Sequence, residues 1–186
     1  MSNDTTTTVD PRTRAARVKI GRGLPQVYSF LCSPKGRELQ AQVGNHLLDL
    51  GCGYGQGLPT LSEAGWCWRG ADLVDRVNIP EMFINLKDLR DYSYHFSVVC
   101  LSNVVNVQQT PKQLVDLINS AVNALRDGGF LVWNYPGTPR YMPDLGLEEM
   151  RRAIKGAVPW VDLIEVHRDS LLTVYKKREF RDGHGR

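Results

Sequence analysis

The chain has 186 residues, which suits one domain at the usual size of about 100–200 residues. Its composition, 42% hydrophobic and 23% charged, is that of an ordinary globular protein, and no apolar run approaches the roughly 18 residues a membrane-spanning helix needs. With 23 basic and 20 acidic side chains the formal charge is +3, which permits an acidic or nucleic-acid partner without requiring one.

Residues 1–10 are polar, with threonine at positions 5 to 8, and cannot bury enough surface to offset their ordering entropy; they read as a disordered arm. A single domain is expected over 11–180, with N-terminal helices in 11–45 and a sheet core over 46–177. A basic tail over 178–186 ends the chain. In the N-terminal part, Arg12, Arg14, Arg17, Lys19 and Arg22 precede Leu24, Val27, Tyr28, Phe30 and Leu31. Helices are expected over about 25–32 and 34–43, each with proline in its first turn.

From position 46 onward, short β-branched runs alternate with longer amphipathic ones, the pattern of βα units that build a mostly parallel sheet. Strands are expected at 46–50, 67–71, 83–85, 97–101 and 129–134. Two late runs, about 161–168 and 171–176, read as an antiparallel hairpin around Asp169-Ser170. The most regular helix is 111–125, where Leu114, Val115, Leu117, Ile118, Ala121, Val122 and Leu125 share one face; Asp127-Gly128-Gly129 is its stop. A shorter charged helix is expected over 147–155.

Cys32, Cys52, Cys67 and Cys100 form no CxxC pair, so reduced thiols are expected. His46, His95, His167 and His184 lack a ligand spacing, and no metal centre is expected. No N-terminal segment joins a basic stretch, an apolar run of roughly 7–15 residues and a small-residue cleavage site, which makes a cytoplasmic location the expectation.

The segment that carries most chemistry is His46-Leu47-Leu48-Asp49-Leu50, an apolar strand running straight into Gly51-Cys52-Gly53-Tyr54-Gly55-Gln56-Gly57. Glycines in such a turn supply positive φ and let a ligand approach the backbone with no Cβ in the way. The spacing is GxGxG, and Gln56 stands where a dinucleotide fingerprint needs glycine or alanine. No GK[ST] follows, which excludes a nucleoside-triphosphate loop.

The run from Leu48 to Gly55 resembles motif I of the class I S-adenosylmethionine (SAM)-dependent methyltransferases. The resemblance implies a Rossmann-like α/β fold: a doubly wound, seven-stranded mixed sheet ending in a C-terminal antiparallel hairpin. It implies SAM as cofactor, with Gly51, Cys52, Gly53, Tyr54 and Gly55 against its amino-acid end and ribose, and Asp49 near the ammonium group through water. Asp72, 21 positions after Gly51, stands where a doubly wound sheet places its ribose-binding acid, about 20 positions on. The resemblance makes Asp72 the bidentate ribose ligand and Leu73 its neighbour on the adenine face; a helix N-cap is the other role open to Asp72, and Asp75 the weaker competitor. In the same way Asp88 and Leu89 match the place that receives the adenine edge, with Asp91 as the substitute and plain loop charge as the alternative.

Methyl transfer requires a nucleophile aligned with the methyl and, for some acceptors, removal of a proton. After the fourth strand Ser102-Asn103-Val104-Val105-Asn106-Val107 forms an uncharged floor, with Gln108 and Gln109 beyond. It lacks the [DNS]PP[YFW] motif of the amino methyltransferases of adenine and cytosine and the Pro-Cys of the cytosine C5 enzymes, and looks most like small or phage-type members of the superfamily. Ser102 is assigned to the cofactor. Asn103 and Tyr135 are the candidate catalytic residues, with a turn cap equally open for Asn103. Tyr135, Arg140 and Tyr141 are candidate substrate contacts or sheet-edge packing, and any base is to be recruited from His95, Tyr92 or the substrate itself.

The activity implied is methyl transfer to an N or O acceptor on a small molecule, nucleotide or nucleic acid; the alternative is a non-catalytic SAM-binding subunit or sensor. The partner is accordingly a small-molecule or nucleotide acceptor. Nucleic-acid contact through the basic termini (Arg12 to Arg22; Lys176, Lys177, Arg178, Arg181 and Arg186) and a partner subunit both stay open, and no membrane partner is expected.

Overall fold

A computed structural model describes residues 23–75, 77, 79–135 and 145–178. The expected arm over 1–10, the basic residues Arg12 to Arg22, Arg140, Tyr141, Arg181 and Arg186 lie outside the described residues.

The elements follow in chain order as α1 (Gln26–Cys32), α2 (Pro34–Val43), β1 (His46–Leu50), α3 (Leu58–Glu63), β2 (Cys67–Asp72), β3 (Phe83–Asn85), β4 (Phe96–Leu101), α4 (Pro111–Ala124), β5 (Leu125–Asn134), α5 (Leu147–Ala157), β6 (Leu163–Arg168) and β7 (Leu172–Lys177). Local chemistry sets the helix starts. Ser33 caps α2 by accepting from the Gly36 amide, Thr110 caps α4 by accepting from the Gln113 amide, and each is followed by proline at the first helical position.

The strands form one seven-stranded sheet in the order β3-β2-β1-β4-β5-β7-β6. β1 to β5 pair in parallel, whereas β7 runs antiparallel to both β5 and β6. This is the doubly wound mixed sheet with a terminal hairpin expected from the sequence. Because β1 lies between β2 and β4, the chain leaves β1 toward one side of the sheet and β4 toward the other. Such a switch point opens a crevice at the carboxyl ends of the two strands, where ligands of open α/β sheets bind.

Alternation along the strands sends side chains to two cores. Leu48, Leu50, Val99, Leu101, Leu131 and Trp133 face α4 and α5. On the other side Leu47, Trp68, Val98, Cys100, Phe130 and Val132 pack with Val27, Tyr28 and Leu31 of α1, Val43 of α2 and Leu61 of α3. Both faces of the central strands are therefore covered, as their near-continuous apolar composition requires.

Most element bounds fall within two residues of the sequence expectation, and the larger difference is at the junction of α4 with β5. The helix stops at Ala124 rather than at Asp127-Gly128-Gly129, and β5 begins immediately at Leu125. Leu125 takes extended backbone because it pairs with Phe96 of β4 and is fully buried. The glycines instead fall inside the strand, where the register shifts between Phe96 and Val98 and Gly128 has φ 74°. Lys177, at the end of β7, closes this corner: its Nζ donates to Leu125 O at 2.8 Å and Val122 O at 3.4 Å, pairs with Asp127 at 3.1 Å and lies over the Tyr94 ring.

Candidate functional site

The loop after β1 takes the conformation its glycines were expected to supply. Gly51, Gly53 and Gly55 have φ of 84°, 57° and 70°, all in the left-handed region. At Gly51 space is restricted as well, since a Cβ there would stand 2.5 Å from a Val104 methyl. The loop is thus pressed against the segment that follows β4. The Gly51 and Cys52 amides both donate to Ala71 O, which fastens the loop to β2, while Cys52, Gly53, Gly55 and Gly57 are buried and Tyr54 is exposed.

Asp72 ties the end of β2 to the same loop. Its Oδ2 accepts from the Gly53 amide at 2.8 Å and its Oδ1 from the Leu73 amide at 2.6 Å. A carboxylate has about four lone-pair sites, so two backbone bonds orient the group and leave acceptor capacity toward the crevice. No helix begins at Asp72, which removes the N-cap role.

Asp49 stands directly beneath the loop with no exposed surface. Three elements donate to it: Tyr28 Oη of α1 at 2.8 Å, Trp68 Nε1 of β2 at 3.2 Å and Cys100 Sγ of β4 at 3.4 Å. Burial pushes its pKa up to about 6, against the pull of these donors, and the charge of Asp72 adds to the rise. Burial first, and then the Asp49 charge, holds the Tyr28 phenol and the Cys100 thiol well above their ordinary values. Cys52 is raised in the same way, first by burial and then by Asp49 and Asp72. The neutral groups remain donors and the carboxylate is the one anion among them.

Across the switch point, Asn103 has φ 57° and is locked reciprocally to Asn134 at the end of β5. The Asn103 amide donates to Asn134 Oδ1 and Asn134 Nδ2 donates to Asn103 Oδ1, both at 2.8 Å. Beside this clasp, Ser102 Oγ and Asn106 Oδ1 are buried without a hydrogen-bond partner among the described residues, Ser102 lying near the Tyr28 phenol. Unpaired buried polar atoms are costly and uncommon, and here two of them stand within five residues of one strand end.

Other expected site residues are placed differently. Tyr135 is 2% exposed, packs in the α4/α5 core and donates its hydroxyl to Leu145 O at 2.9 Å; burial raises its pKa, so it offers the floor no open acid or base. Leu89 is buried in the same core, while Asp88 is exposed on the 3-10 turn Leu86–Tyr92. Asn85 pairs in register with Asp72 at the ends of β3 and β2, and its side chain accepts from the Lys87 amide. His95 and Tyr92 precede β4, and His95 lies 5.7 Å from His46 at the start of β1. They therefore occupy the amino ends of the strands, opposite the loop, and the expectation that either is recruited as a base is corrected.

Tyr28, Trp68, Cys100 and Asn134 escaped the sequence analysis as site residues. Tyr28 and Asn134 lie 21 and 31 positions from the groups they hold. Within their own segments each looks like an ordinary helix or strand residue.

No family model and no curated protein matches the sequence. Solved structures do match in fold. A 1,6-didemethyltoxoflavin-N1-methyltransferase from Burkholderia thailandensis, crystallised with bound 1,6-didemethyltoxoflavin and S-adenosylhomocysteine, is 18% identical; the match covers 80% of this chain and 78% of that one at a TM-score of 0.57. An amino pentose methyltransferase from Micromonospora echinaspora, with SAM bound, is 16% identical over 90% of this chain and 95% of that one, also at 0.57. A SAM-dependent methyltransferase from Archaeoglobus fulgidus is 13% identical over 81% of this chain and 94% of that one, at 0.56. This chain has the fold of the SAM-dependent methyltransferases.

Proposed function

We propose that the protein is a SAM-dependent methyltransferase that transfers a methyl group to an N or O acceptor on a small molecule or nucleotide. The observation that carries this is the convergence at the switch point: three left-handed glycines after β1, tied through the Gly53 amide to Asp72 at the end of β2. The arrangement fits SAM. The loop from Gly51 to Gly55 would receive the amino-acid end and ribose, Asp72 would accept from the ribose hydroxyls, and Leu73 would border the adenine. Asp49 would act from beneath as a buried negative charge toward a cationic ligand, and Ser102 would lie on the opposite wall. Asp88 and Leu89 are kept as the adenine-edge pair of the resemblance, with Asn85 as the neighbour that the register adds.

When bound, SAM supplies an electrophilic methyl on a sulfonium. The chain's own part is alignment and exclusion of water. Residues 102–109 carry no ionisable side chain, so the floor binds through amide and hydroxyl groups and holds no strong base. An acceptor that is already nucleophilic, such as a neutral amine, suits such a floor better than one that must first lose a tightly held proton. Asn103 is the candidate to orient that acceptor: Asn134 fills one lone pair of its carbonyl, and the second can accept from an N–H of the amine, which leaves the amine's own lone pair free for the methyl. Recognition is assigned to the N-terminal helices and the loops after β4 and β5, with nucleic acid as the wider class of acceptor and a partner subunit as a further source of recognition.

The test is transfer of radiolabel from methyl-labelled SAM into a cell extract, then separation into nucleic-acid, protein and small-molecule fractions. Label in the small-molecule fraction that is lost with Asp72→Ala is the expected result. No label above that of Asp72→Ala in any fraction would overturn the assignment.

A further inference from the structure

Tyr28 belongs to α1, outside the βα units, yet it touches both ends of the glycine loop. Its Oη donates to Asp49, two residues before Gly51, and its ring lies so close to Gly57 that a Cβ there would be 2.8 Å from Cζ. The same Cβ would be 3.1 Å from Asp49 Oδ2. The loop therefore leaves β1 and enters α3 over one phenol–carboxylate pair. Trp68 supports the middle in a similar way, donating to Asp49 while its ring stands 3.7 Å from where a Cβ of Gly55 would be.

We propose that Tyr28 is a positioning residue of the cofactor site, bracing the glycine loop through its hydrogen bond to Asp49. This deepens the SAM assignment and rests on it. The phenol favours the ionised form of Asp49, as does each donor facing that carboxylate: Tyr28 from α1, Trp68 from β2 and Cys100 from β4. The charged or titratable groups that oppose or share the site are Asp72 at the end of β2 and Cys52 in the loop. Removing only the hydroxyl leaves the ring in its packing place and releases the carboxylate. The loop then loses its brace, and Asp49 holds its proton to higher pH.

The experiment compares the full chain with Tyr28→Phe, Asp49→Asn and the double variant. SAM affinity is measured by calorimetry and ligand-free melting temperature by circular dichroism, both from about pH 5 to about pH 8, the range that brackets the raised carboxyl. In the parent, affinity for the cationic cofactor is expected to rise with pH through about 6 as Asp49 ionises. Tyr28→Phe is expected to bind SAM about ten-fold more weakly, with the midpoints of both pH profiles moved upward. Asp49→Asn is expected to flatten both profiles, and the double variant to show little further loss. The proposal is overturned if Tyr28→Phe matches the parent in affinity and midpoint, or if its loss persists undiminished in the Asp49→Asn background. A parent that binds no SAM at any pH overturns the cofactor assignment itself, and the brace with it.

Discussion

At the residue scale, the cost of burying a carboxylate governs the site. Asp49 has no exposed surface, and its three donors do not cancel the lost hydration, so its folded pKa stands at about 6 instead of its ordinary 3.8. A raised carboxyl pKa means that the native state holds the proton more tightly than the unfolded chain. Stability from this group is therefore fully present below about pH 4 and is lost as pH rises through about 6. The difference amounts to about 3 kcal/mol across that window. Urea unfolding at several pH values should show this slope in the parent and its loss in Asp49→Asn. Gly51 provides a second check. Alanine there must adopt a left-handed φ and press on Val104, and a loss of at least about 1–3 kcal/mol is expected in the same measurement. Asp49, Gly51 and Asp72 were legible in the sequence because their spacing is local to one βα turn and its successor. The partners that set the charge state of Asp49 were not, because Tyr28, Trp68 and Cys100 reach it only through the tertiary fold.

At the scale of elements, chain order and strand positions were readable from alternation and turn chemistry, down to Pro34–Val43, His46–Leu50 and Phe83–Asn85. The junction of α4 with β5 was not. A strong glycine stop was present in the sequence, yet pairing of Leu125 with Phe96 ended the helix earlier. Lys177 then satisfies the carbonyls left at that end, a contact between residues 52 and 55 positions apart. Lys177→Met should keep the aliphatic stem and remove the donors, at a cost of about 2 kcal/mol, read from the midpoint of chemical denaturation. α1 shows the same dependence on distant partners. Besides holding Asp49 it reaches the β6–β7 turn, where Gln26 Nε2 donates to Asp169 Oδ1 at 3.1 Å and Phe30 stacks on His167. A short helix of seven residues owes its order to such contacts rather than to its own propensity.

For the whole molecule, one sheet lies between two cores that share its central strands. Neither core can open without exposing the other, so unfolding is expected to be a single transition with equal calorimetric and van't Hoff enthalpies. Two separated transitions would show that the helices of one face melt independently. The sheet order also accounts for where the site lies: β1 and β4 diverge, and the glycine loop, Asp72 and the Ser102 to Asn106 segment meet at their carboxyl ends. The architecture was legible as a succession of βα units. The acceptor of the proposed transfer was not, because a fold of this kind leaves specificity to loops whose contacts are set in three dimensions. The most direct measurement is a calorimetric titration of SAM into the parent and into Asp72→Ala. One molecule bound per chain by the parent, with affinity lost in the variant, is the expected result; equal affinity in both, or no binding by the parent, would contradict the assignment of this loop as a cofactor site.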